Sequence, residues 1–139
     1  MKPIIRRSDC PISYTLDVFG VKWTMLIMRD LLLYGKDSFS EYLCSDEKIA
    51  TNILTDRLKV LLREGFVTKH TAPKNKSKFL YRPTEKAIDL IPILGEITLW
   101  AEKYSPAGAP ADIARPLKEN RTKALHNLKK KVEEKFKAE

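Results

Sequence analysis

The stretch 49–65 constrains this chain most. It reads Ile-Ala-Thr-Asn-Ile-Leu-Thr-Asp-Arg-Leu-Lys-Val-Leu-Leu-Arg-Glu-Gly. Leu54, Leu58 and Leu61 recur at the spacing of one helical face. At about 100° per residue, Asn52, Asp56 and Lys59 point the other way, with Thr55 beside them. Gly65 ends the helix because glycine accepts the left-handed conformation that follows a last turn. Phe66-Val67-Thr68-Lys69-His70 then alternates as a strand does. A helix with short polar groups on its outer N-terminal half can enter a DNA major groove, where donors and acceptors on base edges are read. The same pattern describes any amphipathic surface helix, so the flanking segments decide.

Upstream, Cys10-Pro11 opens a helix, since proline suits the first helical position, and Gly20 ends it. Ile12, Leu16 and Phe19 form its apolar stripe. A second helix, 22–33, holds Trp23, Leu26, Ile27 and Leu31 and is expected to be the most buried; Tyr34-Gly35 stops it. Segment 36–39 is expected to be a turn that can hold a short strand segment. Ser38 or Ser40 can cap a third helix, 39–44, on whose apolar face Cys44 is expected in the core. The turn 45–48 leads into the polar-faced helix.

Downstream, strands 66–71 and 78–82 are expected to flank a lysine-rich tip, 73–77. Such a hairpin is marginal alone and must pack on the helices. Thr84 is expected to cap a fifth helix, 85–104, which Pro92 kinks or splits. Its apolar residues exceed what one small domain needs, which predicts either a subunit contact or a helix lying on its own core. Segment 105–116 has the composition of a linker. A basic amphipathic helix, 117–139, closes the chain, with a seam of Leu125, Leu128, Val132 and Phe136. Residues 1–104 thus form one domain, mainly α with a small two- or three-stranded β element, followed by a helical extension.

The net charge of +8 and pI near 9.5 point to a polyanionic partner. That excess lies wholly in two places, Lys74, Lys76, Lys78 and Arg82, and the segment from Arg115 onward; the rest of the chain nets about −1. Cys10 and Cys44 have no metal-like spacing and fit a reducing compartment. The N-terminus lacks a signal-peptide core and no apolar run is long enough for a membrane span, so a cytoplasmic protein is expected. His70 and His126 have no partner set for a metal, and there is no phosphate loop or nucleophile elbow. No catalytic residue, metal or cofactor is expected.

Three helices, a polar-faced helix, a basic-tipped hairpin and a long helix follow the order of a winged helix-turn-helix. The chain resembles the HxlR-type winged-helix transcriptional regulators, which share their architecture with the MarR type. The matching blocks are Cys10-Pro11 with Leu16-Asp17; Gly20-Val-Lys22-Trp23-Thr24 with Leu26-Ile27-Met-Arg29-Asp30-Leu31; Phe39-Ser40-Glu41; Ile49 to Leu58; Gly65-Phe-Val67; and Tyr81-Arg-Pro-Thr84-Glu-Lys86. The resemblance covers about residues 10–104 and leaves the tail outside it.

The resemblance implies a homodimer on a pseudo-palindromic operator of double-stranded DNA. Thr51, Asn52, Thr55, Asp56, Arg57 and Lys59 match the DNA-reading helix by position. Asn52 can pair bidentately with adenine. Thr51 and Thr55 suit a phosphate or a thymine methyl. Asp56 can orient a neighbouring cation, and Arg57 lies nearer the buried side. Lys74, Lys76 and Lys78 of the wing become phosphate contacts. Ile12, Ile91, Leu94, Ile97 and Trp100 become dimer-contact candidates, because the family builds its dimer from the first helix and the helix after the wing. Cys10 is a redox-sensor candidate: a thiol at a helix N-terminus gains reactivity, and family members resemble sensors using a cysteine there. The plain alternative for Cys10 is a small cap or core residue. Three rival functions are an electrophile-sensing regulator switched through Cys10, a protein-interaction module whose basic segments bind an acidic partner, and a thiol enzyme, which would need a base near Cys10 that the sequence does not show. No effector molecule is indicated.

Overall fold

The computed structural model describes residues 4–137, so residues 1–3 and the last two positions of the expected 117–139 helix lie outside the described part. In chain order the elements are α1 (Pro11–Phe19), α2 (Lys22–Tyr34), α3 (Phe39–Leu43), α4 (Thr51–Arg63), β1 (Val67–Ala72), β2 (Asn75–Pro83), α5 (Glu85–Ile88), α6 (Ile91–Tyr104), α7 (Ala111–Glu119) and α8 (Arg121–Lys135).

The core forms around α2. Met28 and Leu31 are wholly buried, and Ile27, Leu32 and Leu33 nearly so. Leu54, Leu58 and Leu61 of α4, Val67 of β1 and Tyr81 of β2 pack with them. Burying a leucine side chain contributes about 1.5–3 kcal/mol, so the leucine stripe of α4 is the main anchor of that helix. Gly35 ends α2 at φ 67° and Gly65 follows α4 at φ 79°, both left-handed.

The strands pair antiparallel, with Val67 opposite Pro83 and Thr71 opposite Phe79, and the register shifts between Thr71 and Ala72. A single bridge joins Ser38 to Leu80, the only trace of a third strand among the described residues. The Tyr81 N–H donates to the Asp37 carbonyl (2.7 Å), which seats the hairpin on the segment before α3.

Five expectations need correction. First, β2 begins at Asn75, so Lys76 joins Lys78 on the strand and the tip shrinks to a turn around Pro73 and Lys74. Second, Thr84 makes no side-chain cap to the helix after it; its hydroxyl donates instead to the Gly65 carbonyl (2.6 Å), tying the end of the wing to the end of α4. Third, Cys44 follows α3 as its C-cap and is exposed, because the short helix ends before the apolar face reaches it. Fourth, helix α7 occupies much of the expected linker, which reduces to 105–110, and the tail breaks at Asn120, whose side chain accepts from the Lys123 N–H (3.1 Å). Pro116 sits inside α7 near its end, where its missing N–H breaks little. Fifth, Ile91 and Leu94 are 1% and 5% exposed. They belong to this chain's own core and are removed from any subunit surface.

Pro92 does split the long helix, between α5 and α6. The tail is no loose appendage. Val132 joins the main core, Leu125, Leu128 and Phe136 pack against it, and α7 and α8 lie on α6. Gly95 makes room, since a Cβ there would stand 2.9 Å from Leu125 and 3.5 Å from Leu117.

Candidate nucleic-acid interface

Helix α3, the turn 44–50 and α4 form the helix-turn-helix. Ser38 caps α3 by accepting from the Glu41 N–H (3.4 Å) and donates to its carboxylate (2.9 Å), a reciprocal cap. Lys48 stands at φ 55° in the turn, and its N–H donates to the Ser45 carbonyl (3.0 Å). Ile49 buries its side chain just before α4 begins.

A polar network holds this turn to α2. Asp30, almost fully buried, accepts from the Ser45 hydroxyl and from Arg29 Nε and Nη2 (3.0 and 2.8 Å). Lys36 donates to the same Ser45 hydroxyl (3.1 Å). Arg29 also grips Glu47 through Nη1 and Nη2 (2.7 and 2.9 Å). Arg29's hydrogen bonds hold the Glu47 carboxyl at about 2, against an ordinary 4.5, and Glu47 in turn raises the guanidinium above its usual range. A buried charge is tolerated only when paired, and here the pairing fixes the direction in which α4 leaves the turn.

On α4 itself, Thr51, Asn52 and Lys59 are exposed, while Thr55, Asp56 and Arg57 are half-buried. The Thr55 hydroxyl donates to the Thr51 carbonyl (2.9 Å), so it meets a ligand chiefly as an acceptor. Arg57 donates to Asp56 through Nη2 and Nε (2.5 and 3.2 Å). That pairing keeps the Asp56 carboxyl below the usual carboxylate range. Asp56 thus pairs with Arg57 and offsets its charge. The face open to a ligand is Thr51, Asn52 and Lys59, with Thr55 at its margin.

Lys74, Lys76 and Lys78 are all exposed on the hairpin. Asn75 Oδ1 accepts from the Ser77 N–H and hydroxyl (3.1 and 2.6 Å), which stiffens the tip. Lys69 of β1 lies 4.1 Å over the Phe79 ring and adds a cation that reading the tip alone overlooked; the alternation of 66–70 was the available signal. At the other end, Lys86 donates to the Glu64 carbonyl (2.8 Å) and closes the last turn of α4.

Cys10 is the exposed N-cap of α1, and its side chain makes no capping bond. Ile12 (72%), Leu16, Ile97 and Trp100 (68%) leave large apolar surface on α1 and α6. Among the described residues no group of three or more His, Cys, Asp or Glu side chains is arranged to hold a metal, and no helix is long and apolar enough to cross a membrane.

A buried leucine stripe, a polar outer face, a pinned turn and a basic hairpin define a winged helix-turn-helix protein. Residues 18–109 match the HxlR-like helix-turn-helix family. The chain is 34% identical over 96 residues to the uncharacterised HTH-type transcriptional regulator YvaP of Bacillus subtilis, covering 68% of this chain and 88% of that protein. It is 33% identical over 95 residues to YdeP of the same organism, covering 68% and 73%. Among solved structures, PA1607 superposes with a TM-score of 0.64 at 37% identity over 72% of this chain and 68% of that one. The reduced form of the transcriptional regulator YodB from B. subtilis superposes at 0.57, with 27% identity over 73% and 99%. The chain belongs to the HxlR-like family and is a DNA-binding transcriptional regulator of that type.

Proposed function

We propose that this protein acts as a homodimer on a roughly palindromic operator. One α4 enters the major groove of each half-site, about 34–36 Å apart along the duplex. Asn52, Thr51 and Thr55 test base edges or the flanking backbone. Lys59 and the wing residues Lys74, Lys76 and Lys78 take phosphates, which supply register and most of the affinity. Arg57, paired with Asp56, supports the helix and reads no base.

The observation that carries this reading is the exposed polar stripe of α4, anchored by its leucines and by the Asp30–Ser45 and Arg29–Glu47 contacts. Exposed Ile12, Leu16, Ile97 and Trp100 supply the apolar surface that a partner subunit would cover. Selection of bound sequences from random duplexes tests it. Asn52→Ala with Thr51→Ala must reduce discrimination between selected and random duplexes; unchanged discrimination refutes the assignment. Sedimentation must give a dimer at micromolar concentration.

A second reading is supported by the exposure of Cys10 next to the open face of α1. Electrophile addition at Cys10 then changes the dimer and weakens operator binding. Operator affinity that is insensitive to a quinone in the native chain, and identical in Cys10→Ser, refutes it.

A further inference from the structure

A cleft of about 240 Å³ opens between α2, α6 and the segment 108–113. Met25 and Leu33 of α2, Ile97 and Ala101 of α6, and Pro110 and Ile113 of the tail are among the side chains that form it. Pro110 and Ile113 lie beyond the residues matched by the family, so the tail adds a wall of its own. An apolar cavity of about 150 Å³ already admits benzene, so this one has room for a single ring or a short alkyl chain. Thr98 also lines it, but its hydroxyl is committed to the Leu94 carbonyl (2.8 Å).

Arg29 is the one charged side chain in the lining, and it also borders an adjoining polar cleft, where its partners Asp30 and Glu47 lie. Four of its five N–H groups are taken by Asp30 and Glu47, which leaves one on Nη1. An anion arriving there meets two carboxylates already in place. Asp30 is buried and held by Ser45 and Lys36. Glu47 sits exposed in the turn before α4 and is held by Arg29, so Glu47 is the one that yields.

We propose that this cleft binds a small amphipathic monoanion, an apolar body with one carboxylate, which takes Arg29 in exchange for Glu47. Its regulatory consequence rests on the DNA-binding role of α4: when Glu47 is released, the turn 45–48 loses one of its ties to α2, and α4 loses its fixed bearing.

Octanoate titrated into the full chain without DNA, at neutral pH, tests the site by calorimetry. Saturable binding is expected, with octan-1-ol weaker. Ala101→Phe fills the cleft and should weaken octanoate about tenfold or more. Ala109→Leu, on the loop side, serves the same purpose if the first variant melts early. Glu47→Gln removes the competing carboxylate and should tighten octanoate about tenfold. No saturable binding, equal affinity in both filled variants, or equal affinity for octanol overturns the site. Octanoate affinity that is unchanged or weaker in Glu47→Gln overturns the exchange. Because none of these measurements contains DNA, failure of the operator reading would leave them intact. Where an operator is in hand, octanoate must lower the chain's affinity for it, and an unaltered affinity overturns the regulatory consequence.

Discussion

Arg29 and Glu47 meet through two parallel N–H···O bonds of 2.7 and 2.9 Å, which tie the middle of α2 to the turn before α4. The folded carboxyl of Glu47 titrates at about 2, below its ordinary 4.5. The stabilisation is therefore complete above about pH 4.5 and is lost as pH falls toward 2. A third of the Glu47 side chain is exposed, so screening limits the contribution to about 1–2 kcal/mol. Urea melts of the native chain should lose that much across this window. Glu47→Gln should be less stable at pH 7 and should lose less on acidification.

Ser45→Ala removes the hydroxyl that faces buried Asp30. Leaving a buried carboxylate short of a donor costs about 1–3 kcal/mol. The loss should show in thermal melts at neutral pH, with operator discrimination falling alongside, because the turn is what aims α4.

Two residues of α4, one turned inward and one outward, should behave in opposite ways. Leu54→Ala empties a fully buried site and should cost about 2–5 kcal/mol of stability. Asn52→Ala, on the exposed face, should change stability by less than about 0.5 kcal/mol, yet it should erase base preference at one position of each half-site.

Each wing lysine neutralised by substitution should flatten the dependence of DNA affinity on salt. The slope of log affinity against log salt should fall by about 0.9 for each phosphate left without its lysine. Lys74→Ala, Lys76→Ala and Lys78→Ala, singly and combined, give that series in filter binding. Sequence preference should persist while affinity declines.

Val132→Ala tests the docking of the tail. Val132 is buried in the main core, so the substitution should cost about 1–3 kcal/mol. Removal of 111–139 should therefore lower the melting temperature as well as weaken non-specific DNA binding. A truncated chain that melts like the full one would refute the docking.

The helix-turn-helix was legible because its signals are local. The leucine spacing of α4, the glycines after α2 and α4 and the proline in the 85–104 segment each act within a few residues. The wing was read too short because Lys74 to Ser77 has turn composition, whereas the chain turns within Pro73 and Lys74 and Asn75 already pairs with Ala72, past a register shift that composition does not show. Thr84 has the residue type of a cap but found a carbonyl 19 positions away. The Arg29–Asp30–Ser45–Glu47 network spans 18 residues and leaves no periodic trace. The seam of α8 was visible in the sequence, but nothing in a seam says which helices it will meet. Ile91 and Leu94 illustrate the same point: their apolarity was plain, and whether they face a partner or the chain's own interior depended on the fold.

Lys135 donates its ammonium hydrogen to the Gly35 carbonyl, 100 positions earlier, just past the left-handed end of α2. During synthesis this bond forms only after the last turn of α8 has cleared the ribosome, long after α2 has emerged. The Gly35 and Lys36 N–H groups already close the end of α2 on the Asp30 carbonyl, so what arrives last is a clasp between the newest helix and the central one, laid over a terminus that is complete without it.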